Sequence, residues 1–333
     1  MSEIKHVGKL RCALENTPEE LFFSLVDYRN NLFTSNDPEK IIEFYNGFHN
    51  RDQLIQWMKE RPKGASYIHE VEGDKDIIVV IPTADFNGKY ARTCREEIFK
   101  GLHMVFVESG GRGDFYFNYA HNCNVGIKRA MEYNPKWVVV SNDDMIKEEP
   151  IERLSSNLLK LDNKEEIIVH TLKNGKYHSR DALISTRSIR RKIVLNMMGK
   201  IERMGMNIES RLEIRYIVGS TLAFYRFIYK PILRVKYSGS FTIMSSTLIK
   251  RMNESAFDET FINGGEDIDL ALLLKHEGTW TEYVDYKIGD IIGGTIGPYD
   301  IIRRTRGIAN TCYLNTKILK TYIPHELEGL SRN

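Results

Sequence analysis

Cysteine, proline, long apolar runs and net charge are all scarce in this chain. Its 333 residues include 4 Cys and 9 Pro. Cys12, Cys94, Cys123 and Cys312 lie far apart and form no C-x-x-C pair, so neither a zinc cage nor a disulfide framework is indicated and reduced, buried thiols are the expectation. No uncharged run reaches the roughly 18 residues of a membrane-spanning helix. The opening MSEIKHVGKLRCALEN has no apolar stretch behind its charges, so it does not read as a secretory signal, and a cytoplasmic protein is expected. A formal net charge of +2 gives no sign of a nucleic-acid partner. What is present, 42% hydrophobic and 11% aromatic residues, suffices for a large core in one big or two small domains.

The small net charge hides an asymmetry. Between Lys173 and Lys236 there are 15 Lys and Arg against 4 Asp and Glu, an excess of 11 that leaves the remainder at −9. A basic amphipathic segment of this kind suits an anionic membrane surface; a solvated face or a subunit-docking surface is the plainer reading. Oligomeric state is not encoded in any recognisable pattern.

Residues 1–72 read as a helical extension, with capped starts at Thr17-Pro18-Glu19-Glu20 and Asp37-Pro38-Glu39 and a buried stripe at Ile42, Tyr45 and Phe48. From residue 73 the texture changes. Ile77 to Ile81 is a continuous β-branched run, as expected of a strand buried on both faces. A helix (Tyr90 to Lys100), a strand (Met104 to Val107), a Gly-rich loop (Ser109 to Gly113), a helix (Asn122 to Tyr133) and a strand (Trp137 to Val140) follow. That alternation over 73–150 predicts right-handed βαβ crossovers in an open, mostly parallel α/β sheet flanked by helices. Ligands bind outside the carboxyl ends of such strands, here Pro82-Thr83, Glu108-Ser109 and Asn142-Asp143-Asp144. The basic block 151–236 is expected to be mainly helical, with a helix from Ser188 to Met206. Globular texture returns over 237–300, with a helix from Glu266 to the Gly278 stop, and a helical tail is expected over 301–333.

Two acidic clusters could carry chemistry. Asp143 and Asp144 directly after a buried strand need water, hydrogen-bond donors or a cation, and a divalent Mg²⁺ or Mn²⁺ shared with substrate phosphates would satisfy both. The plainer alternative is a polar turn or a helix cap. In Asn263-Gly264-Gly265-Glu266-Asp267-Ile268-Asp269 a glycine pair delivers three acids to a helix start, where the macrodipole alone would favour them. The functional reading is a carboxylate that takes a proton from an attacking hydroxyl, with the glycines letting the backbone approach a sugar. His121 and His170 have no partner at metal-ligand spacing and read as core or loop residues. Ser109 to Gly113 lacks the Lys-Ser/Thr ending of a P-loop.

Taken in order, these segments resemble the family 2 glycosyltransferases of GT-A fold, in particular the rhamnosyltransferase-like branch. The resemblance rests on Ile78 to Thr83, Val105 to Gly110, Asn118-Tyr119-Ala120 with Asn124 to Ile127, Val139 to Asp144, Gly239-Ser240-Phe241, Phe257 to Phe261 and Gly265 to Leu270. It covers roughly 76–150 and 237–320. It implies an inverting transfer of a sugar from a nucleotide-diphosphate donor to a hydroxyl acceptor on a glycan or lipid carrier. Pro82, Thr83, Asp85, Glu108, Asn124, Asn142 and Asp143 would serve the donor. Asp144 and Asp290 would serve Mn²⁺ or Mg²⁺. Gly239, Ser240, Gly264 and Gly265 would face the acceptor, Asp267 would be the base, and Glu266 would orient the acceptor. By the same resemblance the basic block is an insertion; its basic, amphipathic character makes residues 186–236 the candidate contact with an anionic membrane face.

The chain departs from the pattern in three places. Asn142 replaces the commoner first aspartate, Glu108 stands where an Asp is usual, and Gly289-Asp290-Ile291 occupies the place of a metal-binding His. Two other functions compete. A sugar nucleotidyltransferase would favour a Gly-rich loop with a basic finger after the first strand, where this chain has Thr83 to Lys89. A catalytically silent sugar-binding protein could keep the fold.

Overall fold

The computed structural model describes residues 27–110, 116–161, 164–173, 176–177, 180–185, 213–217, 233–291 and 301–322. The helix start expected at Thr17-Pro18, the helix expected over Ser188–Met206, and most of the Gly-rich loop lie outside these residues.

The amino-terminal part is helical as expected: α1 covers 27–34, α2 Pro38–Asn46 and α3 Arg51–Glu60. Asp37 caps α2 by accepting from Glu39 N, with Pro38 in the first turn where its missing N–H costs nothing. The extension does not stay helical to residue 72, however. Ser66–Val71 is a strand, β1, lying antiparallel on β3 (Leu102–Ser109). Gly73 makes the turn out of β1 possible, because a β-carbon there would sit 2.3 Å from the Leu102 carbonyl carbon.

The sheet is built outward from β2 (Asp74–Thr83), β3 and β4 (Trp137–Ser141), three parallel strands joined by helices. Ile77, Val79 and Ile81 of β2 face one layer, formed by α4 (Lys89–Thr93), the π-helical turn Cys94–Ile98 that continues it, and α6 (Ile151–Leu158). Ile78 and Val80 face the other, formed by α5 (Tyr119–Met131), α7 (Ser246–Arg251) and α8 (Glu266–His276). Period-two alternation between two apolar layers is why β2 reads as an unbroken apolar run. Gly126 lets α5 sit on the sheet, since a β-carbon would fall 2.3 Å from Val80 Cγ1.

Among the described residues the full order is β1-β3-β2-β4-β11-β6-β12-β5, where β5 is Met145–Lys147, β6 Ile167–Lys173, β11 Phe241–Ser245 and β12 Trp280–Asp290, with β7 (Lys176–Tyr177) beside β6. The sheet is therefore mixed rather than mostly parallel. β11 (Phe241–Ser245) runs antiparallel to both β4 and β6, β12 (Trp280–Asp290) is parallel to β6, and β5 (Met145–Lys147) is antiparallel to β12. The physical reason is where β11 begins: the turn Ser238-Gly239-Ser240 delivers Phe241 opposite Ser141 at the carboxyl end of β4, so the strand runs back antiparallel.

The described part of 151–236 also differs from the mainly helical expectation. After α6 it is strand: β6 joins the central sheet, and β8 (Arg180–Ser185), β9 (Glu213–Ile217) and β10 (Leu233–Tyr237) form a separate antiparallel sheet in the order β10-β8-β9. The helix α9 (Ile301–Lys317) with its π-helical turn Ile318–Tyr322 packs on α2, α3 and α8, so α2, α3 and α9 share one core around Phe44, Trp57, Phe261 and Tyr313. Cys94, Cys123 and Cys312 are free, buried thiols. Among the described residues no helix is long and apolar enough to cross a membrane.

Candidate functional site

The carboxyl ends of β3, β2 and β4 form a row. Glu108 pairs in register with Thr83, and Thr83 Oγ1 donates to Asp143 Oδ2 at 2.8 Å. Asp143 is buried; Cys94 Sγ donates to its backbone carbonyl at 3.2 Å. Pro82 lies buried within β2, opposite Val107. Asp85 is exposed, its carboxylate capping the turn by accepting from Asn87 N.

Beyond β4 the row meets β11 and β12. Asn142 N donates to Ser240 O at 2.9 Å, Ser240 Oγ donates to Asp290 Oδ2 at 2.8 Å, and Ile291 N donates to Asp144 O at 2.8 Å. Asp290 opposes Met145 across the β12–β5 pair, which makes it a neighbour of Asp144 although 146 residues separate them in sequence. Gly239 leads from this corner to the second acidic cluster, for a β-carbon there would lie 2.9 Å from Asp267 Oδ2. The two clusters thus come together at Gly239-Ser240.

Helix α8 is placed by a set of carboxamides. Asn118 caps α5 by accepting from His121 N, while its Nδ2 donates to the carbonyls of Glu259 and Phe261. Asn263, at φ 55°, accepts from Tyr119 N. Asn310 of α9 brackets Ile262, accepting from its N–H and donating to its carbonyl. Gly265 then turns into α8 at φ +99°, a conformation that favours glycine. Gly264 lies beside it, and a β-carbon there would stand at an ordinary contact distance from Asn310 Nδ2.

Asn124 falls elsewhere than its expected donor role. It is buried, its Nδ2 donates to Phe257 O and Glu259 Oε1, and its Oδ1 accepts from Phe257 N. The whole carboxamide is spent on tying the 257–259 loop to α5. The third acid of the second cluster is structural too. Asp269 is bound by Lys317 at 2.5 Å and by Tyr322 OH at 3.1 Å, and Lys317 also holds Asp258. Of the two histidines read as structural, buried His170 is pushed down to about 4 by burial and by Lys236, and His121 pairs with Glu259 at 2.9 Å.

Glu266 and Asp267 open α8, with Asp267 against Gly239. Glu266 is buried, and its Oε2 has no hydrogen-bond partner among the described residues. Burial first, and then the neighbouring Asp267 charge, push its carboxyl up to about 8. Asp267 is half-buried and accepts from Ile268 N. Two residues that sequence reading gave no role complete the picture. Tyr119 OH donates to Asn142 Oδ1 at 2.9 Å, and its phenol, raised well above the usual range by burial, Cys123 and Glu266, stands between the two acidic clusters. His69 of β1 contacts Glu108 Oε2 at 2.6 Å. Tyr119 was visible inside Asn118-Tyr119-Ala120; His69 gave no sequence signal because the strand carrying it was read as helix.

Among the described residues no group of three His, Cys, Asp or Glu is disposed to hold a metal ion. The cavity of about 290 Å³ between α3 and α9, lined by Lys59, Tyr313 and Lys317 among others, includes none of the strand-end residues. No protein-family model matches the chain, and no curated protein matches it significantly.

Proposed function

We propose that this protein is an inverting glycosyltransferase of GT-A type, moving a sugar from a nucleotide-diphosphate donor to a hydroxyl acceptor on a glycan or lipid carrier. The observation that carries the reading is the meeting of Asn142-Asp143-Asp144 and Glu266-Asp267 at Gly239-Ser240, beyond the carboxyl ends of parallel strands. Two carboxylate clusters 120 residues or more apart in sequence are not brought to one corner by local capping. Such a corner suits a reaction that needs both a proton acceptor and a means of stabilising a departing diphosphate.

In this reading the acceptor hydroxyl lies beside Asp267. Its oxygen forms a bond to the anomeric carbon as the bond from that carbon to the diphosphate oxygen breaks; the bonding electrons leave with the diphosphate, and the hydroxyl proton passes to Asp267. The configuration at carbon is inverted. Glu266, carrying a proton near neutrality, donates from its carboxyl to a sugar oxygen and so orients the acceptor. The small backbone surface at Gly239, Gly264 and Gly265 admits the sugar.

Asp144 and Asp290, brought close along the backbone by the β12–β5 pairing, would hold a divalent cation together with donor phosphates, within the usual need of Mg²⁺ or Mn²⁺ for one or two protein carboxylates. Such a cation would supply neutralisation of the charge that builds on the leaving diphosphate.

The test is to incubate the protein with a panel of nucleotide sugars and Mn²⁺ and to follow the products. Release of nucleoside diphosphate from at least one donor is expected. Release of pyrophosphate instead would assign nucleotidyl transfer, and no turnover of any donor despite sugar binding would reject catalysis.

A further inference from the structure

The cavity between α3 and α9 has walls that helix packing alone does not call for. Asp52, Ile55, Gln56 and Lys59 line it from one face of α3, at the i, i+3, i+4 and i+7 spacing. Such a stripe is ordinarily apolar where it meets a neighbouring helix. Here only Ile55 is, and about 290 Å³ stays open between the helices. Buried Ile55 and Tyr313 supply apolar surface. Lys59 on one side, with Lys317 and Lys320 on the other, supply three ammonium groups against one carboxylate, Asp52.

These charges are sorted along the cavity. Cys312 feels the charge of Asp52, which sets the Asp52 end of α3 beside Tyr313. Lys59 lies seven residues beyond Asp52 and Lys320 seven beyond Tyr313, roughly 10 Å of helix in each case. Both reach one cavity of this size, so the two helices run the same way and the lysines converge at its far end. Among the described residues neither Lys59 nor Lys320 has a carboxylate partner. Lys317 has three N–H donors; two go to Asp258 Oδ2 at 2.8 Å and Asp269 Oδ2 at 2.5 Å, which leaves the third for the cavity.

We propose that this cavity binds a small hydroxylated organic phosphate, with the phosphate at Lys59, Lys317 and Lys320 and the hydroxyl-bearing body toward Asp52, and that occupancy reaches α8 through Lys317. Lysines bind phosphate as point charges, without the fork geometry that arginine imposes. Asp52 only accepts, so it suits hydroxyl donors and repels a second anionic group at its end. The volume lies at the lower end for small-molecule sites, which fits a molecule of hexose phosphate size. The link to α8 is a single ammonium. An occupant that takes its third N–H fixes Lys317, and with it Asp269, two residues from Asp267.

Titration calorimetry of the full chain with glucose 6-phosphate, inorganic phosphate and glucose, at constant ionic strength, tests the site. Glucose 6-phosphate should bind about tenfold more tightly than inorganic phosphate, the scale of one hydrogen bond to a charged group, and glucose should bind far more weakly than either. The exposed pair Lys59→Met and Lys320→Met, combined in one protein, should weaken glucose 6-phosphate by about tenfold or more. Asp52→Ala should lower only its preference over inorganic phosphate. Hydrogen exchange across Glu266–His276 should slow when glucose 6-phosphate binds the wild type. Binding that survives the double lysine variant, or glucose bound as tightly as its phosphate, would overturn the site. Binding to phosphatidic acid vesicles without binding to glucose 6-phosphate would assign a lipid headgroup and overturn the soluble ligand. Unmoved exchange in the bound protein would overturn the link to α8. None of these readouts depends on sugar transfer.

Discussion

The Tyr119 hydroxyl donates to Asn142 Oδ1 at 2.9 Å, from the first turn of α5 to the end of β4. The same helix turn receives Asn263, two residues before Gly265, through the Tyr119 N–H. One residue therefore sets the spacing between the strand end and the acidic start of α8.

Tyr119→Phe should leave the fold intact and cost about 1 kcal/mol, the net worth of one buried hydrogen bond. The larger effect is expected on turnover, because Asn142 loses its anchor. Thermal denaturation alongside a nucleoside-diphosphate release assay checks this. Full activity in the variant would show that the link does not position the site.

Gly239→Ala should impair the chemical step. Its β-carbon would stand 2.9 Å from Asp267 Oδ2 and push the carboxylate away from an incoming hydroxyl. A shift of that kind costs on the order of ten- to a hundredfold in kcat, with donor KM little changed. Steady-state kinetics resolves the two, and a change confined to donor KM would place Gly239 elsewhere in the mechanism.

The acids of α8 should separate by phenotype. Removing the Lys317 charge by Lys317→Met leaves Asp269 and Asp258 without their shared cation, and a loss of about 3 kcal/mol or more is expected in chemical denaturation. Asp269→Asn should likewise act on stability. Equal stability of the Lys317→Met and wild-type proteins would contradict the structural assignment of Asp269.

Glu266 gives a pH signature. Its folded carboxyl is raised to about 8, above the ordinary value of 4.5, so the native state holds a proton that the unfolded chain releases. The stability this contributes is full below about 4.5 and is lost as pH rises toward about 8. Wild type should therefore lose stability relative to Glu266→Gln across that window. Denaturation midpoints that run parallel from pH 5 to 8 would mean that Glu266 is ionised in the folded protein.

Sequence reading reached different parts of this molecule to different depths. β2, β3 and β4 were legible because burial on both faces writes a continuous apolar run, and the residues at their ends follow from the strands. β1 was not, since His69 and Glu70 break the apolar pattern of Ser66–Val71 and its stability comes from pairing with β3. β11 carries no pattern that distinguishes an antiparallel neighbour from a parallel one. Asp267 and Asp269 looked like one cluster, yet two residues of helix turn through about 200°, which sends Asp269 toward Lys317 and leaves Asp267 beside Gly239. Asn124, in a segment that suggested donor binding, is consumed by loop 257–259, a partnership 133 residues distant that no local pattern encodes.

The central claim is that Asp267 takes a proton in sugar transfer at a corner shared with Asp144. Asp267→Asn preserves size and the helix start while removing the base. Measured with an active nucleotide sugar, the variant should bind donor with nearly wild-type affinity in titration calorimetry, yet transfer no sugar to acceptor and release no nucleoside diphosphate. An Asp267→Asn protein that transfers sugar at the wild-type rate would contradict the account.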